Sequence, residues 1–89
     1  MRKIELDVRH IQTVKALHVY LRYMLELPAY YGCNLDALAD VLGEENEQMR
    51  IVLIGPAMQG SELEAYLPRL KKVFEDCTAE NSRIICEYR

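Results

Sequence analysis

No run of apolar residues in this 89-residue chain approaches the roughly 18 needed to span a bilayer. The N-terminus shows no signal-peptide pattern, and Met1-Arg2-Lys3-Ile4-Glu5 alternates polar and apolar from the start, so the expected location is the cytoplasm. Cysteine is scarce. Cys33, Cys77 and Cys86 are odd in number and widely spaced, which excludes a disulfide framework. No CxxC or HxxxH spacing occurs, so no metal site is expected, and no cofactor motif is present. Internal repeats, linkers and low-complexity segments are missing as well. Residues 23–49 lack Lys, Arg and His altogether, where even spreading of the chain's 11 basic residues would place about three. The same window holds Glu26, Asp36, Asp40, Glu44, Glu45 and Glu47. A segment with that field repels phosphates, which excludes nucleic acid as its partner.

What is present suits one folded domain, residues 1–89, with 51% hydrophobic and 28% charged residues. Residues 3–8 alternate with period two, as in a strand with one face on a core. Val14, Leu17, His18, Leu21, Met24 and Leu25 recur at helical spacing, giving a first helix over about residues 13–26 that Pro28 stops. Gly32 frees the following loop, Asn34 caps a second helix over residues 35–42, and Gly43 suits the position just past its end. Residues 49–54 form a nearly continuous apolar run, which suggests a strand buried on both faces. Ser61 with Glu64 signals the start of a third helix. Pro68 fits best in the first turn of a fourth, which turns Leu70, Val73, Phe74 and Cys77 inward. Residues 83–88 close the chain as a strand, with Cys86 on its inner side. The expected fold is α/β, a small three-stranded parallel sheet with about four helices in the order β-α-α-β-α-α-β.

The stretch LPAYYGCNLDALAD carries a more specific signal. Leu27, Pro28, Tyr30, Tyr31, Gly32, Asn34, Leu35, Asp36, Ala37, Leu38 and Asp40 match, without a gap, a signature of the barstar family. The chain therefore resembles that family of intracellular ribonuclease inhibitors, in length and element order as well as in this motif. The resemblance implies a three-stranded parallel sheet packed with helices. It also implies an inhibitor that blocks a secreted bacterial, barnase-type ribonuclease by laying an acidic helix and its preceding loop into the RNA cleft. By position, Asp40 corresponds to the carboxylate that stands in for a substrate phosphate. Asp36 is its neighbour meeting further basic groups, and Tyr30 is the aromatic that packs on the catalytic histidine. Asn34, Leu35 and the backbone around Gly32 complete the docking surface. With Ala39 and Gly43 on the same helix and Asp76 on the last one, these are the expected partner-binding residues.

The chain departs from the family pattern in places. Ala39 stands where a tryptophan separates the two acids, and tryptophan is absent throughout. A second tryptophan just after the helix gives way to Glu44-Glu45-Asn46-Glu47, the proline before the second strand is missing, and Cys33 replaces an acid. The lost aromatic area argues against the same partner, and the added acids suggest a more basic one.

On spacing alone, Asp36 and Asp40 would be a solvated helix face; the surrounding motif favours a partner instead. Of the tyrosine pair, Tyr31 is expected on the core. His18 lies on the apolar stripe of the first helix and reads as a satisfied core histidine. An enzyme is not expected, because two carboxylates on one exposed helix form no cleft and no nucleophile or acid–base set accompanies them. The alternative to a ribonuclease inhibitor is an immunity or regulatory protein on the same fold that binds a different basic toxin or partner, in either case without nucleic acid or membrane.

Overall fold

In the computed structural model, which describes residues 1–89, strand β1 (Arg2–Asp7) leads into helices α1 (Val14–Met24) and α2 (Leu35–Gly43). Strand β2 (Met49–Ile54), helix α3 (Glu62–Glu80) and strand β3 (Ile84–Tyr88) follow. The sheet order is β1-β2-β3, all parallel, with Ile4 opposite Ile51 and Ile51 opposite Cys86. Two parallel neighbours need two long crossovers, and the helices provide them. No helix is long and apolar enough to cross a membrane.

Three helices form, not four. A single 19-residue α3 runs straight through Pro68. The proline ring removes one backbone donor, but Pro68 and Glu64 both lie on the exposed side, where the freed carbonyl can meet water. Leu63, Leu67, Leu70, Phe74 and Cys77 form one buried stripe across the proline, so burial on both sides of it holds the two halves in line. The start of α3 is as expected. Ser61 Oγ accepts from the Glu64 N–H at 3.3 Å, and the Glu64 carboxylate reaches back to the Gly60 N–H at 3.2 Å.

Strand β2 is central, yet its two faces differ. Met49, Ile51 and Leu53 join Ile4, Leu6 and Ile84 in the core beneath the helices. The other face carries Lys3, Glu5, Arg50 and Glu87 and has no helix over it, so the expected burial under two layers is replaced by a charged lattice. Val52 is nonetheless fully buried there. It lies in register between Glu5 and Glu87, and Arg50 donates to the Glu87 carboxylate beside it. The aliphatic stems of these residues take the place of a second helical layer.

Candidate functional site

Helix α1 ends in a left-handed turn. Leu27 N–H bonds the Arg22 carbonyl at 3.0 Å and Glu26 N–H bonds that of Tyr23 at 3.3 Å. Glu26 takes the positive φ of 53° that such an ending requires, where glycine is usual. The chain then turns at Pro28, whose carbonyl accepts from the Tyr31 N–H at 3.0 Å. The tyrosine pair splits as expected. Tyr31 is buried, and Tyr30 is 83% exposed.

The residue that aims the chain into α2 is Cys33. It adopts φ 54°, whereas Gly32 has no positive φ, so the conformational freedom expected of the glycine is used one residue later. Gly32 occupies a tight space instead. A Cβ there would sit 3.3 Å from the Asn34 amide nitrogen and 3.4 Å from the Ala37 Cβ. Asn34 occupies that space, donating to the Gly32 carbonyl at 3.2 Å and accepting from the Ala37 N–H at 2.7 Å. Loop and helix start are thus fixed as one unit. Cys33 is an exposed free thiol, while Cys77 is buried and Cys86 half-buried; burial pushes both inner thiols up, Cys86 to about 12.

On α2, Asp36, Ala39, Asp40 and Gly43 follow one another at i, i+3, i+4 and i+7 and share a stripe. Leu38 and Leu42 hold the opposite side in the core, with Leu35 and Ala39 half-buried at the margins. Asp36 and Asp40 are exposed, and neither carboxylate joins an ion pair or side-chain hydrogen bond within the chain. Asp36 lies in the first turn, where the helix dipole favours it; Asp40 has no such support. Gly43 is the last helical residue and not the one beyond it, since the cap is Glu44 at φ −92°. Nothing lies within 4 Å of where its Cβ would be, so the glycine leaves bare backbone at the surface. Asp76 differs from the α2 acids. Exposed on α3, it already holds the Lys72 ammonium at 3.1 Å.

Two fastenings were not specified by sequence reasoning. Asn81, 8% exposed, donates from Nδ2 to the carbonyls of Leu42 and Glu45, both at 3.1 Å, and so ties the end of α2 to the end of α3. Its only signal was an asparagine between a helix and a strand. His18 is the satisfied core histidine expected, but its partners, the hydroxyls of Tyr31 and Tyr66, come from distant parts of the chain. No group of three or more His, Cys, Asp or Glu side chains is arranged to hold a metal ion.

The assembled surface combines an exposed aromatic on the loop with two unpaired carboxylates on the capped helix that follows it. The family model described as Barstar (barnase inhibitor) matches residues 1–88. The chain is also 35% identical over 81 residues to the Bacillus subtilis (strain 168) protein named "Putative ribonuclease inhibitor YrdF", covering 90% of this chain and 89% of that protein. With the parallel sheet, the acidic α2 and the loop before it already in place, the chain belongs to the barstar family.

Proposed function

We propose that this protein inhibits a basic, barnase-type ribonuclease in the cytoplasm, as a 1:1 complex, by setting Asp40 and Asp36 where the phosphates of RNA would lie. The observation that carries the reading is the pair of carboxylates, exposed and without any cation of their own chain, on a helix whose start and end are both tied down. A nuclease must hold phosphates, so its cleft is lined with cations. Carboxylates ordered in advance meet them without the cost of ordering a loop. Tyr30, exposed on the loop that leads into α2, is the aromatic for a ring in the cleft, and Asn34, Leu35, Gly32, Ala39 and Gly43 fill in the surface. Asp76 contributes less, because binding must first break its pair with Lys72.

Calorimetric titration against a purified barnase-type ribonuclease at low and moderate salt tests this. Tight 1:1 binding that weakens with salt is the expected result, and unchanged affinity in Asp40→Ala would refute the phosphate-mimic mechanism.

A second reading has its own support. Ala39 offers little aromatic area, and Glu44, Glu45 and Glu47 line a groove with Tyr30, Val41, Pro28 and Arg2, whose charge Glu26 already meets. That surface suits a toxin or regulatory partner more basic than a barnase-type enzyme. Failure to bind the ribonuclease, with binding to another basic toxin domain, would favour it.

A further inference from the structure

The loop that carries Tyr30 is fastened to the molecule at one buried point. The Tyr31 hydroxyl lies 2.7 Å from His18 Nδ1, and His18 Nε2 lies 2.8 Å from the Tyr66 hydroxyl. One imidazole, 1% exposed, therefore joins α1, the docking loop and α3. Neither hydroxyl has another partner in the protein.

The protons can be assigned from this geometry. A neutral imidazole donates from one nitrogen and accepts at the other. Tyr31 is buried and has no other acceptor, so its hydroxyl donates to Nδ1. Nε2–H then donates to Tyr66, a half-buried residue whose own proton can turn to solvent. A second proton on the ring breaks this arrangement. Both nitrogens become donors: Nδ1–H then points at the Tyr31 oxygen, and the Tyr31 hydroxyl must turn its own buried proton away with nothing to accept it.

One carboxylate faces α1 from α3: exposed Glu62, one turn before Tyr66, accepts at 2.7 Å from the N–H of Val14, one turn before His18, and is thus already engaged with the start of α1. The loop contributes Tyr31 and Cys33, and α3 contributes Tyr66 with the Arg69 guanidinium 5.2 Å from its ring centre. On α1 itself, Lys15 and Arg22 are exposed cations three residues before and four after His18, while the Asp36 and Asp40 carboxylates of α2 are exposed. The strands supply only apolar side chains to this core, among them Ile4, Leu6, Ile51 and Leu53. Burial lowers the His18 pKa, and no charged neighbour offsets it.

We propose that His18 is a positioning residue for the docking loop, and that a proton on its Nδ1 unfastens Tyr31 and so releases the bound partner. The identity of what is released rests on the inhibitor reading above; the proton-sensitive fastening does not. Acid acts here on a histidine that touches no partner, through the tyrosine next to the one that does.

Two measurements test it. The first is the dissociation rate from a purified barnase-type ribonuclease between pH 8 and pH 5, for the natural protein, His18→Gln and Tyr31→Phe. The natural protein should dissociate faster in acid by about tenfold more than either variant, as expected for one buried hydroxyl losing its acceptor. The difference from His18→Gln removes any titration belonging to the ribonuclease. Profiles that superimpose would overturn the proposal. The second measurement needs neither partner nor variant: hydrogen-exchange protection of the Tyr31 amide, bonded to the Pro28 carbonyl, in the free protein at the same pH values. Protection should fall in acid ahead of the core strands, and protection unchanged from pH 8 to pH 5 would overturn the fastening. No binding at pH 8 would instead defeat the inhibitor reading and leave exchange to decide the role of His18.

Discussion

Asp36 and Asp40 stand one helical turn apart with no cation of their own, an arrangement that weakens α2 slightly and that the proposed complex would put to use. Asp40→Ala should therefore leave thermal stability within about 0.5 kcal/mol of the natural protein. Binding should weaken by at least about 2 kcal/mol, roughly thirtyfold in Kd by calorimetry. Gly43 makes the complementary case. Its missing Cβ would touch nothing, so Gly43→Ala should stabilise the last turn of α2 by up to about 1 kcal/mol in thermal denaturation. The same methyl would stand between bare helix backbone and any partner lying against it, so affinity should fall while stability rises. A variant that gained both would place Gly43 outside the docking surface. Glu26 is, with Cys33, one of two non-glycine residues held at a positive φ. At φ 53° it bears a cost of about 1–2 kcal/mol that glycine would not. Its exposed ion pair with Arg2 returns only part of that. Glu26→Gly should thus be neutral to stabilising.

At the scale of elements, α2 is held at its two ends by different means, a local cap at Asn34 and a distant one at Asn81. Asn81→Ala leaves buried carbonyls of Leu42 and Glu45 without their side-chain donor. It should cost about 1–3 kcal/mol by urea denaturation. The two ends also separate what the sequence makes legible from what it does not. Asn34 could be read as a cap because the bond it makes spans three residues. Asn81 could not, because its partners lie 36 and 39 residues away. The strands, α1 and α2 follow from period and punctuation, and the aspartate stripe from spacing within one helix. The break expected at Pro68 fails because local propensity is outweighed by a buried stripe that continues past it. The second layer expected over β2 fails because an apolar run reports that a strand is buried without reporting by what. Val52 is covered by the stems of charged neighbours that belong to other strands.

For the whole molecule, the titrating groups define the range over which the fold is fully stable. Burial lowers the His18 pKa below its ordinary 6.5, so the folded state prefers the neutral ring. That contribution is complete above pH 6.5 and is lost as pH falls through the lower folded value. Asp7 adds a second acid step. Side-chain and backbone hydrogen bonds from Arg9 hold its carboxyl at about 2, and its contribution fades from pH 3.8 downward. On the alkaline side the sign reverses. Burial raises the Cys86 thiol from 9.0 to about 12, so the folded state prefers the protonated form, and stability declines as pH rises from 9 toward 12. Denaturation midpoints measured against pH should therefore be flat between about 6.5 and 9 and fall on both sides. His18→Gln should remove the first acid step and leave the second. A first step that survived this substitution would place the acid sensitivity of the fold outside the network that joins the docking loop to α1 and α3, and so separate it from control of the loop.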